Sequence, residues 1–162
     1  MDLDERTILN VISESIGKEY VPIIEQLSKP KHDDKIAEEL NMKATIVRTL
    51  LNDLHAKNLV EYKRTKNKKT GWYTYLWKKR DKEIRRFIKA YLENKLNELN
   101  RQLEIEQNDV IFACSCSRVS LDVAMENNFV CPHCNEKFDR LNNKKIIRKL
   151  KAEIAKINSL YK

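Results

Sequence analysis

The sequence predicts a mainly α-helical protein with small β elements, and three observations carry that expectation. Apolar residues recur at helical spacing through the first part of the chain and end in two β-branched, aromatic runs around a polar turn. Two stripes of Leu and Ile follow, at steps of three and four. Between them lie all four cysteines, in "FACSCSRVSLDVAMENNFVCPHC". A length of 162 residues with 41% hydrophobic content suits one core plus something smaller. Two glycines and three prolines argue against a β-sandwich or a disordered linker protein.

Taken in order, Ile8, Val11, Ile12 and Ile16 define a first helix that Gly17 stops. "YVPIIEQLSKP" restarts a helix with Pro22 in its first turn, and Lys29-Pro30 closes it. Asp33 or Asp34 is expected to cap a short helix whose inner face is Ile36, Ala37 and Leu40. A tight turn at Asn41-Met42 leads into a longer helix with Val47, Leu50, Leu51 and Leu54 inward. "LVEYKRT" and "WYTYLWK", flanking "KNKKTG", read as a hairpin. Helices, a helix-turn-helix and a terminal basic hairpin together describe a winged helix over 1–79.

A linker helix is expected over 80–108, with Ile88, Leu92, Leu96, Leu99 and Leu103 on one stripe. A cysteine module follows over 109–141, then a C-terminal helix over 142–162 with Ile147, Leu150, Ile154, Ile157 and Tyr161 at coiled-coil spacing. The stripes either pair as an antiparallel coiled coil with the cysteine module at its tip, or await a partner protein. The intramolecular pair is preferred, because an unpaired stripe leaves leucines in water.

In the cysteine module, Cys131-Pro132-His133-Cys134 has the spacing of a zinc knuckle, whereas Cys114 and Cys116 are separated by one residue. The fourteen residues between Cys116 and Cys131 have room for two short strands and a turn. One structural Zn²⁺ held by Cys114, Cys116, Cys131 and Cys134 is the preferred reading. His133 in place of a cysteine, free thiols and a redox pair are the alternatives. Four thiolates close the coordination shell, so a catalytic zinc is not expected.

Net charge is +8, and nine Lys or Arg against Glu61 alone place +8 between Lys57 and Arg80, with the remainder balanced. A local basic patch points to nucleic acid. The helix expected to enter a groove carries only Lys43 and Arg48 as cations before Lys57, which makes it a poor reader of base edges. The hairpin is richer: Lys63, Arg64, Lys66, Lys68 and Lys69 follow a phosphate backbone, and Trp72 and Tyr73 supply faces for unpaired bases. Strand alternation sets Trp72, Thr74 and Leu76 against Tyr73, Tyr75 and Trp77, and leaves open which set faces out or whether all the aromatics pack on the helices.

No apolar run of about 18 residues suits a membrane span, and the acidic start "MDLDERTILN" does not read as a secretory signal. With no glycine-rich phosphate loop, no nucleophile–base pair, and His32, His55 and His133 scattered, an enzyme is not expected. An intracellular setting follows from the cysteine usage.

"YKRTKNKKTGWYTYLWK" resembles the wing of the archaeal basal transcription factor E family, counterparts of the α-subunit of eukaryotic TFIIE, and "VSLDVAMENNFVCPHC" resembles that family's S-F-x-E-A-x-E-x-x-F-x-C-P-x-C stretch. The order of winged helix, long helix and zinc ribbon matches as well. The resemblance implies a non-enzymatic general initiation factor of the archaeal cytoplasm, associated with the nucleoid. It implies binding to the clamp and stalk of RNA polymerase, cooperation with the TATA-binding protein on the promoter, and stabilisation of melted DNA through its non-template strand. A second factor-E subunit is a further implied partner. The chain departs from the family pattern in the shortened Cys114–Cys116 knuckle and in Asn135, where the family has Gly. The competing class is a metal- or redox-responsive winged-helix repressor, which needs a base-reading helix and a duplex operator.

Overall fold

A computed structural model describes residues 3–66, 71 and 73–160. The chain divides into two compact units, Asp2–Tyr91 and Leu92–Lys162, and one long helix begins in the first and ends in the second.

In the first unit α1 (Glu5–Ser15) starts where the Asp4 carboxylate accepts from the Thr7 amide. It ends at Gly17, whose φ of 131° lies in a region that a side chain disfavours. After a single 3-10 turn come α2 (Val21–Gln26), the two-residue strand β1 (Lys31–His32), α3 (Asp33–Glu39) and α4 (Ala44–Ala56). Asn41, at φ 50°, makes the turn between α3 and α4. The expected inner face of α4 is buried in full: Val47, Leu50, Leu51 and Leu54. Each such side chain contributes about 1.5–3 kcal/mol by leaving water. The hairpin is β2 (Val60–Lys66) and β3 (Tyr73–Lys79), antiparallel, with Tyr62 opposite Trp77, Arg64 opposite Tyr75 and Lys66 opposite Tyr73. β1 pairs with β3 on its other edge, giving the order β1-β3-β2. A helix-turn-helix backed by a three-stranded sheet with an extended hairpin is a winged helix.

Two local expectations need correction. Asp33 does not cap α3: the preceding residue, His32, takes the cap position without a side-chain bond, and the Asp33 carboxylate is buried and paired with Arg48. Leu40 is only half-buried, because it ends the helix at the turn. The strand β1, two residues long, has too little pattern to read in sequence.

The long helix α5 (Asp81–Asn108) buries Ile84 and Ile88 within the first unit and Leu92 and Leu99 within the second. The second unit continues with β4 (Ile111–Ala113), β5 (Arg118–Ser120), α6 (Leu121–Glu126), β6 (Asp139–Arg140) and α7 (Lys144–Ser159). β5, β4 and β6 form a small antiparallel sheet. The segment after Cys116 therefore holds one strand and a helix, not two strands. Ser120 accepts from the Val123 amide and starts α6, whose Ala124 is fully buried.

Along α7, Leu150 and Ile157 are buried and Ile147 and Ile154 half-buried, while Tyr161 lies outside the described residues. At its start, the Asn143 amide donates to the backbone carbonyl and the carboxylate of Glu106, at 2.6 and 3.0 Å. Arg118 pairs with the same buried carboxylate. One side chain thus joins the end of α5, the sheet and the start of α7. Among the described residues no helix is long and apolar enough to cross a membrane.

Candidate nucleic-acid interface and metal centre

The wing sorts its side chains by face. Tyr62, Arg64 and Lys66 on β2 share a face with Trp77, Tyr75 and Tyr73 on β3. Lys63 and Thr65 lie on the opposite face with Leu76 and Thr74, where the two threonine hydroxyls meet at 2.8 Å. The aromatics form a ladder. His55 of α4 lies 5.1 Å from Tyr62 between ring centroids, Tyr62 lies 4.9 Å from Trp77, and Tyr62 and Tyr75 meet edge-on at 5.2 Å. Further out, the Arg64 guanidinium stacks 3.5 Å over the Tyr73 ring, with the Lys66 ammonium 5.8 Å from the same ring.

Exposure therefore changes along β3 more than between its faces: Trp77 is 3% exposed, Tyr75 half-buried and Tyr73 47% exposed. The physical cause is support, since the base of the hairpin rests on the helices and the outer part runs beyond them. Neither expected aromatic set is wholly core.

Charge follows the same gradient. At the base, Lys78 pairs with Glu61, Lys79 with Glu5 and Asp81, and Arg80 with Glu61 and Glu83. Lys63, Arg64 and Lys66 make no ion pair among the described residues and are exposed. Within the described part of the hairpin, the unneutralised positive charge is thus toward its outer end. Of the residues expected to bind nucleic acid, Arg64, Lys66 and Tyr73 come together on one face and Lys63 sits on the other; Lys68, Lys69 and Trp72 lie outside the described residues. Sequence reasoning missed Tyr62 as part of the ladder, and the strand register that pairs it with Trp77 is the signal that identifies it.

On α4, Arg48 is engaged by both Asp33 and Asp34, the latter at 2.7 Å. These carboxylates hold the guanidinium in its charged form and engage its Nε and Nη2 groups.

The four cysteine sulfurs lie within 4.8 Å of one another. Cys114 and Cys116 are 3.7 Å apart, Cys116 and Cys131 3.6 Å, and Cys134 and Cys114 3.6 Å. A thiolate tetrahedron with metal–sulfur bonds of about 2.3 Å has edges of about 3.8 Å, so these separations fit a metal ion. The electrostatics point the same way. Backbone N–H groups of Cys134 and His133 hold the Cys131 thiol down to about 5. Hydrogen bonding with Cys134, Cys131 and Cys114 pushes Cys116 up to about 12. Four sulfurs this close cannot all ionise alone, and a divalent cation removes that conflict.

The shortened first knuckle is completed by neighbours that the spacing does not announce. The Cys114 amide donates to the Ser117 carbonyl at 3.0 Å, and the Ser117 hydroxyl lies 3.4 Å from Cys114 Sγ and 3.6 Å from Cys131 Sγ. The Ser115 amide donates to Glu136 at 3.0 Å, and the Ser115 side chain together with that amide holds the Glu136 carboxyl below its usual range. In the second knuckle the Asn135 amide donates to the Cys131 carbonyl, and Asn135 adopts φ 58°, the left-handed conformation that Asn tolerates in place of Gly. His133 is exposed and outside the cluster of sulfurs. Beneath them Cys131, Ala124 and Phe138 form the module's core, with Phe112 and Phe129 packed edge-on at 5.1 Å.

A winged helix with a cationic, aromatic wing, joined in one chain to a four-cysteine ribbon, is the build of a transcription factor rather than of an enzyme. The profile of the TFIIE alpha subunit family matches residues 6–108. A "Transcription factor E" of Methanobrevibacter smithii is 33% identical over 99% of this chain and 95% of the relative. Those of Methanococcus maripaludis (36% identical over 75% of this chain and 71% of the relative) and Thermococcus kodakarensis (29%, over 94% and 85%) are also similar. A solved structure described as a possible transcriptional regulator from Methanosarcina mazei Go1 shares the fold, with a TM-score of 0.51 at 18% identity over 64% of this chain and 93% of that one. The chain belongs to the TFIIE alpha subunit family, a family of general transcription initiation factors.

Proposed function

We propose that this initiation factor acts by binding alone, shifting the promoter from its closed to its open state by holding melted DNA. The observation that carries the reading is the stack of Arg64 on Tyr73 beside Lys66, exposed and without acidic partners, on a wing whose base is neutralised. Cations follow phosphates, and aromatic faces take unpaired bases without regard to sequence, which suits the non-template strand of a bubble. Lys63, Lys68, Lys69 and Trp72 belong to the same surface in this reading.

Cys114, Cys116, Cys131 and Cys134 would hold one structural Zn²⁺, which would fix the turns of the ribbon and supply folding energy. The C-terminal half of α5 and α7 would pair as an antiparallel coiled coil, a reading supported by the burial of Leu99, Leu150 and Ile157 and by the Glu106–Asn143 link. RNA polymerase, at its clamp and stalk, and the TATA-binding protein on promoter DNA are the proposed partners, with a second factor-E subunit as a further one. The repressor reading is disfavoured because Arg48, the best base-reading candidate on α4, is paired with Asp33 and Asp34, whose charges oppose a phosphate or base edge.

The test is charge reversal of Lys66, Lys68 and Lys69 together. Open-complex stimulation at a weak promoter is expected to fall while polymerase binding survives. Unchanged stimulation removes the wing from the mechanism.

A further inference from the structure

Between α4 and the base of the wing is a cavity of about 300 Å³ lined by Asp33, Arg48, Asn52, Tyr62, Tyr75 and Trp77. Its volume is at the lower end for ligand pockets. Three of its six residues are aromatic and belong to the ladder that runs outward to Arg64 and Tyr73. Trp77, at 3% exposure, is the most buried of the six. Asn52 is exposed on α4 and its amide makes no side-chain hydrogen bond among the described residues, so it offers both donors and an acceptor.

From this geometry we infer that the cavity takes one unpaired nucleobase of the strand that the wing holds. The inference rests on the reading of the wing as a single-strand surface and adds a defined base subsite to it. A flat ring packs against Tyr62 and Tyr75, and its edge pairs with the Asn52 amide. The charges select the base over the phosphate. Arg48, the one cation among the lining residues, is paired with Asp33 and Asp34, so the cavity offers a phosphate no unopposed charge and tolerates a neutral ring. The phosphates belong further out, at Arg64 and Lys66, where positive charge is unopposed.

The sequence has two tryptophans, so Trp72→Phe leaves Trp77 as the sole tryptophan emitter. The full chain with that change is titrated with oligothymidylate and with a strand of equal length and charge built from abasic deoxyribose phosphates. Oligothymidylate is expected to quench Trp77 and to bind about tenfold more tightly than the abasic strand, the scale of one stacked base. Asn52→Ala, at an exposed helical position, is expected to lose much of that preference with an unchanged thermal midpoint. Lys66→Glu is expected to weaken both strands alike. Equal binding of the two strands with unaltered Trp77 emission overturns the pocket and leaves the wing reading standing. A base preference that survives Asn52→Ala with Trp77 emission unchanged assigns stacking to Tyr73 and also overturns the pocket. Binding of neither strand, by this variant and by the unsubstituted chain alike, overturns both readings.

Discussion

Asp33 and Trp77 show how single residues set the wing's surroundings. Asp33 brings a carboxylate into the core of the first unit, and only the Arg48 guanidinium compensates it there. Arg48→Ala leaves that charge unpaired. Because Arg48 is itself half-exposed, the expected loss is about 1–3 kcal/mol, between a surface pair and a fully buried one. Denaturant unfolding of the variant checks this. At the outer wing, Tyr73→Ala is expected to weaken single-strand binding by about 1–3 kcal/mol, with Arg64 losing its stacking partner, as fluorescence anisotropy would read. On α5, Arg101 and Gln102 hold the Glu98 carboxyl down to about 2. Its folded value lies below its unfolded one, so its support of the helix is present above the unfolded carboxylate range and is lost as pH falls through about 2. A carboxyl carbon NMR titration is expected to show Glu98 still charged at pH 3.

At the scale of elements, Glu106 is the joint of the second unit. It lies in the last turn of α5, receives Arg118 from β5, and ties the start of α7 through Asn143. Glu106→Ala is expected to cost about 1 kcal/mol, since it removes the partner of a half-exposed Arg118 and one of the two acceptors of the Asn143 amide. Hydrogen exchange should accelerate at the first turn of α7 and along β5 while α4 keeps its protection. The ribbon shows why a segment's length does not fix its structure. Fourteen residues suited two strands, yet the Ser120 cap and the six-residue run Leu121–Glu126 made a helix whose Ala124 fills the core. Local capping outweighed the expectation drawn from zinc spacing alone.

For the whole molecule, the two units have separate cores and only the second contains cysteine. Stripping the proposed metal with a strong chelator is expected to unfold the ribbon and spare the winged helix. Circular dichroism with native mass spectrometry checks this, the second reporting metal count as well. The ribbon's core is a few side chains, Ala124, Cys131 and Phe138 with Phe112 and Phe129 at its edge, too small to persist once the four sulfurs repel one another. Loss of helicity throughout α4 on chelation would show that the two cores are not independent.

By itself the sequence determined the order of elements, the buried face of α4, the hairpin, the clustering of four cysteines and the basic character of the wing. All of these rest on local periodicity, turn chemistry and residue type, which neighbours in the chain express directly. The tertiary structure decided which wing cations stay free, that Arg48 is spent on Asp33 and Asp34, that Ser117 and Glu136 complete the short knuckle, and that Tyr62 and Tyr75 join Trp77 around a cavity. Each of those depends on partners far apart in sequence. Whether a charge is neutralised or an aromatic exposed is a property of what folds against it, and the residue alone does not carry that information.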